Sequence, residues 1–222
     1  MKLPNIYDFL ASPLSGPEIE ARSFEIIDGE APAHNFTPDQ WRVVRRMIHT
    51  VGEFSIKDNV RISPEAIAAA ASALREGKLI YVDSNMIRAG ISLSRLKAVC
   101  PDYTEGNIVC YVDDDKVARA SQKLNLPRSL LAVQKAKQFL DGAIAVFGNA
   151  PVALLEMNRL IIEENIRPAL VVAMPVGFVH VLESKEELMS AGIPFITLLG
   201  RRGGSPLAVS VIHALCSLAE RR

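Results

Sequence analysis

Three stretches toward the C-terminal end share one pattern of apolar and polar positions: an unbroken apolar run, a sharp turn rich in Gly, Pro or Asn, then a capped amphipathic segment. They are GAIAVFGNAPVALLEMNRL (142–160), PALVVAMPVGFVHVLESKEEL (168–188) and PFITLLGRRGGSPLAVSVIHAL (194–215). Each reads as a strand that passes at once into a helix. In a parallel sheet all such strand-to-helix turns gather at the carboxyl edge, which is where open α/β folds bind ligands. Upstream, KLIYVD (78–83) and NIVCYV (107–112) are two further strands. The first leads into the turn SNMIRAGI and a short helix around 92–98. The second ends in Asp113-Asp114-Asp115, followed by two helices, the later one starting near Pro127-Arg128-Ser129.

Before residue 78 the period is helical. Thr37-Pro38-Asp39-Gln40 supplies an N-cap, a Pro at the first helical position and a Gln three residues after the cap, while Gly52 sits where a C-terminal glycine belongs, so a helix is predicted over 38–51. A second runs from Ser63-Pro64-Glu65 through AIAAAASALRE to Gly77, and an earlier one covers Pro17 to Ile27. The expectation is an α/β fold: a three-layer, doubly wound, mostly parallel five-stranded sheet preceded by a helical N-terminal arm.

Composition narrows the function. With 222 residues, 49% of them hydrophobic, the chain fills one core, and 1–222 is expected to form a single domain. The 25 basic and 25 acidic residues cancel and no run of five like charges occurs, which argues against a nucleic-acid or membrane surface. Pro4 and Asp8 interrupt the apolar residues of the start, unlike a signal peptide, and the longest apolar run, Pro168 to Val179, is too short to span a bilayer. Cys100, Cys110 and Cys216 are odd in number and lack ligand spacing, as expected of reduced thiols in a cytoplasmic protein.

Chemistry is expected at the post-strand turns. GNAP (148–151) and GRRGGSP (200–206) each precede a helix with Pro at its first position, so free N–H groups and the positive dipole end would face the site. Glycines that merely allow tight turns would look the same. Neither turn matches the dinucleotide fingerprint or the P-loop. His49 shares a helical face with Arg42, Arg45 and Arg46, an arrangement that would suit an acidic, protonatable substrate, and a solvated surface histidine is the plain alternative. Glu183-Ser184-Lys185-Glu186-Glu187 contains a Ser-x-x-Glu capping box and reads as a helix start. The three aspartates 113–115 suit either Mg²⁺ or the first turn of a helix. His180 follows the turn after the fourth strand and points toward the same edge, whereas His34 and His213 have no suggestive neighbours.

The segments ARSFEII (21–27), RRMIHTVGEF (45–54), DSNMIRAGI (83–91), RSLLA (128–132), GAIAVFGNAPVALL (142–155), MPVGFVHVLESKEEL (174–188) and GRRGGSPLA (200–208) together resemble the precorrin-8X methylmutase family of cobalamin biosynthesis. The resemblance runs nearly end to end and departs at Pro127, where Thr is usual, and at His180, where a small residue is usual. It implies an isomerase that moves a methyl group from ring carbon eleven to ring carbon twelve of precorrin-8 or cobalt-precorrin-8, with no cofactor and no catalytic metal, working as a homodimer. It also implies that His49 is the catalytic acid/base and that Ser23, Arg46, Asn85, Met86, Arg128, Ser129, Asn149, Phe178, Gly203 and Gly204 bind the macrocycle. Two other classes stay open on the residues alone: a nucleotide-dependent oxidoreductase on a Rossmann-like sheet, and a non-catalytic module that binds an anionic metabolite.

Overall fold

The computed structural model describes residues 4–220. Six strands are found among them: β1 (Val60–Ile62), β2 (Ile80–Val82), β3 (Ile108–Val109), β4 (Ile144–Phe147), β5 (Leu170–Ala173) and β6 (Phe195–Leu198). They lie in the order β1-β6-β5-β4-β2-β3, all parallel except β1, which pairs antiparallel with β6. Five of the six were expected. β1 was not, because three residues between a short 3₁₀ segment and a helix carry no period long enough to read.

The central strands are apolar on both faces, as a sheet covered on both sides requires. Ile80, Val82, Ile144, Val146, Leu170, Val172, Ile196 and Leu198 face one core, and Tyr81, Ala145, Phe147, Val171 and Ala173 face the other. The first core is closed by α2 (Gly16–Glu30), α3 (Pro38–Val51), α4 (Ala66–Arg75), α5 (Asn85–Gly90), α6 (Leu93–Val99) and α11 (Ser205–Glu220). The second is closed by α8 (Arg128–Ala136), α9 (Pro151–Glu164) and α10 (Val181–Met189). Helix α7 (Asp115–Leu124) packs on α8 over a small satellite core, and α1 (Ile6–Ala11) has no buried residue.

Helix boundaries follow the capping chemistry. α3 spans the predicted 38–51, with Thr37 accepting from Gln40 N and the chain turning out at Gly52 in the left-handed region (φ 67°). α2 extends past the expected 17–27 because the capping box at Ser15 starts the helix one residue earlier, at Gly16, and nothing stops it before Ala31. The segment expected as a turn after β2 is the helix α5, N-capped by Ser84. The capping box read at Ser184 is not used. α10 begins at Val181 and the Ser184 hydroxyl donates to Val181 O inside its first turn, because a residue with its side chain buried cannot serve as an exposed cap.

From β2 the chain crosses over the first face to β3, then returns over the second face to β4, β5 and β6. The winding therefore reverses between β2 and β4. In doubly wound sheets that switch point opens the crevice at the carboxyl edge. β1 runs against β6, with Val60 opposite Leu198, so the segment entering β1 starts at the same edge. The C-terminal end of α3, separated from β1 by the eight residues 52–59, is thereby brought to the edge where the βα turns collect.

Candidate active site

Four post-strand turns and one helix end meet at this edge. After β2 come Ser84, Asn85 and Met86; after β4, Gly148 to Ala150; after β5, Pro175 to His180; after β6, Gly200 to Gly204. Met86 and Phe178 are 68% and 86% exposed, and Val176 and Val179 add further exposed apolar surface. The Arg201 guanidinium stands over the Phe178 ring at 5.6 Å. The edge thus offers apolar side chains to solvent beside a cation, which suits a ligand with an apolar face and an acidic rim.

Glycines let these turns approach one another. A Cβ at Gly203 would lie 2.3 Å from Met174 O and 2.5 Å from Pro175 O, and one at Gly148 would lie 2.9 Å from Ser205 Cα. Gly204 N donates to Met174 O (2.8 Å), tying the β6 turn to the β5 turn, and the Ser84 and Ser205 hydroxyls lie 3.2 Å apart, tying the β2 turn to the start of α11.

The turn after β4 does hold an anion, and that anion is part of the chain. Asp83, 1% exposed at the end of β2, accepts from Gly148 N (3.1 Å), Asn149 N (2.9 Å) and Ala150 N (2.8 Å). The expectation that these N–H groups stand free for a ligand is therefore corrected: a buried carboxylate needs donors, and it takes them. Burial raises the Asp83 carboxyl above its usual range, opposed by the three N–H bonds.

His49 is exposed near the end of α3 and meets the Phe24 ring edge-on at 5.4 Å. The guanidiniums of Arg45 and Arg46 lie over the same ring at 4.4 and 5.3 Å. Arg46 is 8% exposed, and both of its terminal nitrogens bond Glu20 (3.0 and 2.9 Å), which also receives Arg95 at 3.4 Å. Burial pushes the Glu20 carboxyl up, but the Arg46 bond and charge, with Arg95 and His49, hold it below its usual range. Ser23 is half-buried beside Phe24 and donates to Ile19 O (2.8 Å). The segment just past α3 is joined to the turns by Arg202, whose two terminal nitrogens grip Glu53 and one of which also donates to Ser55 Oγ (3.2 Å).

The structure thus gathers Asn85, Met86, Asn149, Phe178, Gly203 and Gly204 at the edge, with His49, Arg46 and Ser23 on the adjoining helices. Arg128, exposed, and Ser129, buried, form the first turn of α8. Among the described residues neither has a hydrogen bond to the others. Of the aspartates after β3, Asp113 accepts from Asn85 and Asp114 caps α7 while pairing with Lys135. No three His, Cys, Asp or Glu groups are arranged to hold a metal among the described residues, and no helix there is long and apolar enough to cross a membrane. His213 accepts from Ser92 N (3.0 Å), and burial lowers its pKa to about 4, so it is a neutral structural histidine. His180 caps α10 in the left-handed region (φ 59°) and is exposed.

Sequence reasoning passed over Asp83, Glu20 and Lys185. A signal existed for two of them. Asp83 ends a strand otherwise apolar, immediately before a Ser N-cap, and Lys185 occupies the inward stripe Val181, Ser184, Lys185, Leu188 of an amphipathic helix.

Fold and site define a doubly wound α/β protein whose ligand edge combines apolar surface, guanidiniums and the exposed imidazoles of His49 and His180. The precorrin-8X methylmutase family model matches residues 18–218. The chain is 42% identical to a cobalt-precorrin-8 methylmutase of Leptospira interrogans, covering 93% of this chain and 96% of that one. It is 34% identical to a precorrin-8X methylmutase of Pseudomonas aeruginosa, covering 92% and 97%. The crystal structure of a precorrin-8X methylmutase from Thermus thermophilus superposes with a TM-score of 0.84 at 42% identity, over 93% of this chain and 97% of that one. The chain belongs to the precorrin-8X methylmutase family, isomerases of cobalamin biosynthesis.

Proposed function

We propose that this chain moves the methyl group on ring carbon eleven of precorrin-8, or of its cobalt form, to ring carbon twelve, with His49 as the acid. The methyl shift is the activity of the family. In this reading the bond from carbon eleven to the methyl carbon breaks as the bond to carbon twelve forms, and no atom is lost. His49 gives a proton or a strong hydrogen bond to the neighbouring pyrrole nitrogen, drawing electron density away as the conjugated corrin forms. Met86 and Phe178 line the flat face of the macrocycle, Asn85 and Asn149 border it, and the backbone of Gly203 and Gly204, drawn close to the β5 turn, approaches it. Arg46, Arg128, Ser23 and Ser129 take the peripheral carboxylates and their neighbours. A carboxylate reaches Arg46 by displacing Glu20, which occupies it in the free protein.

The observation that carries the reading is the exposed imidazole at the helix end, with guanidiniums stacked on the ring beside it and the β6 turn joined to it through Glu53 and Arg202. The test is to mix purified protein with metal-free and cobalt-containing precorrin-8 and follow the visible spectrum. His49→Ala should keep its fold and lose about 10²–10⁴-fold in single-turnover rate; a loss under about threefold would remove His49 from the acid role.

Residues 1–222 act as one domain in this proposal, in the cytoplasm, where the three free cysteines stay reduced. The working form is a homodimer, a reading supported by exposed Ile6, Tyr7, Phe9 and Leu10 on α1. Light scattering after gel filtration should give twice the chain mass.

A further inference from the structure

Lys185 breaks the rule that buried charges are paired. It is 1% exposed on the inward face of α10, and its ammonium donates to Gly200 O and Arg202 O, both at 2.8 Å. It forms no ion pair among the described residues. The charged groups on the elements packed around it are turned elsewhere. On its own helix Glu187 accepts from Asn158, and Glu183 and Glu186 are exposed. On α9, Glu156, Glu163 and Glu164 pair with Arg159. In the β6 turn, Arg201 lies over Phe178 and Arg202 holds Glu53; β6 itself carries no charge. A buried cation with no counter-ion opposes folding, so its two carbonyl bonds point to the turn it holds.

From this geometry we propose that Lys185 is a positioning residue for the methylmutase reaction, its ammonium fastening the carbonyls of Gly200 and Arg202 so that the 200–206 turn meets both the substrate and the His49 helix. The two carbonyls it grips flank Arg201, whose guanidinium covers Phe178, and the second belongs to Arg202, whose side chain reaches Glu53 three residues before Ile56 anchors that segment in the core. Gly203 and Gly204 follow at once, the first wedged on the Met174 and Pro175 carbonyls. One buried cation therefore sets the aromatic wall, the close backbone approach and the latch to the catalytic helix. It also places a positive charge beneath the edge that would receive an acidic macrocycle. Burial lowers its pKa to about 8, so the charge is lost in a range where the protein can be assayed. The neutral amine keeps two N–H donors but loses their charge assistance.

The inference rests on the site reading given above, and the test separates the two. Lys185→Met keeps the aliphatic stem and removes the donors. With metal-free precorrin-8 as substrate and its corrin product as titrant, this variant should show KM and product Kd raised on the order of 10-fold, from the loss of two charge-assisted bonds. The wild type should bind product progressively less well from pH 7 to pH 9.5, with a midpoint near 8. That step should be missing in Lys185→Met, and Lys185→Arg, which stays charged, should bind at pH 9.5 as it does at pH 7. A residue that only supported the fold would lower the melting temperature without moving KM or the pH profile. A folded Lys185→Met with wild-type KM and the same pH step overturns the proposal, and so does wild-type affinity that is flat across the range, a measurement that needs no variant. If His49→Ala turns over normally, the site reading fails whatever Lys185 does; if His49→Ala is inactive while Lys185→Met behaves as wild type, only the present inference fails.

Discussion

The carboxylate of Asp83 and the backbone N–H of Asn149 meet at 2.9 Å across the point where the sheet reverses its winding. Two further N–H groups, of Gly148 and Ala150, complete the bond set, so the turns after β2 and β4 are locked together from within. Asn85 and Met86 depend on the first turn and Asn149 on the second. Asp83→Ala strands buried donors and should cost on the order of 3 kcal/mol. Asp83→Asn, which sets an amide against those donors, should cost less but raise KM. Urea melts and steady-state rates check both; an Asp83→Asn protein with wild-type stability and KM would mean that the lock is idle.

Both terminal nitrogens of the Arg46 guanidinium are held by Glu20. Arg46→Ala and Arg128→Ala should weaken product binding by about 1.5–3 kcal/mol each, the worth of a charge-assisted hydrogen bond, and rising salt should weaken wild-type binding as well. Isothermal titration at two ionic strengths measures this. Unchanged affinity in both variants would move the carboxylate contacts elsewhere.

Gly203 and Gly204 should respond differently to a methyl group. At Gly203 an added Cβ meets backbone carbonyls at 2.3 and 2.5 Å, so the turn has to shift, whereas at Gly204 the nearest atom is 3.6 Å away and only the φ of +121° resists. Gly203→Ala should lose about 2–4 kcal/mol and most product affinity, and Gly204→Ala about 1–3 kcal/mol. The reverse order in thermal melts would contradict the packing described.

His213 gives a pH signature. Its folded pKa, lowered by burial to about 4, lies below the unfolded value near 6.5, so the unfolded chain binds more protons between those limits. Stability is therefore full above pH 6.5 and falls as pH drops toward 4, by an amount on the order of 2–3 kcal/mol. His213→Gln, which keeps an acceptor for Ser92 N without titrating, should flatten that part of the stability curve. Denaturant midpoints at pH 7 and pH 4.5 for both proteins test it.

How much of this was legible depends on range. Five strands, α3 to the residue and the N-terminal helical arm follow from period and capping, which act within a few residues. β1 was hidden because its three residues form a strand only through β6, far along the chain. The same holds in the site. The turns and His49 could be read locally, but the filling of GNAP by Asp83 and of Arg46 by Glu20 depends on partners in other elements, and the buried lysine looked like part of a helix cap until its neighbours were known.

That long-range strand also orders events in time. During synthesis the N-terminal arm leaves the ribosome before β6 and α11, yet α3 rests on α11 and, among the described residues, β1 pairs only with β6. Until α11 is made, α3 rests on α2 and lacks its larger partner. A copy cut short before β6 lacks the partners that hold β1 and much of α3, the helix that carries His49, in place.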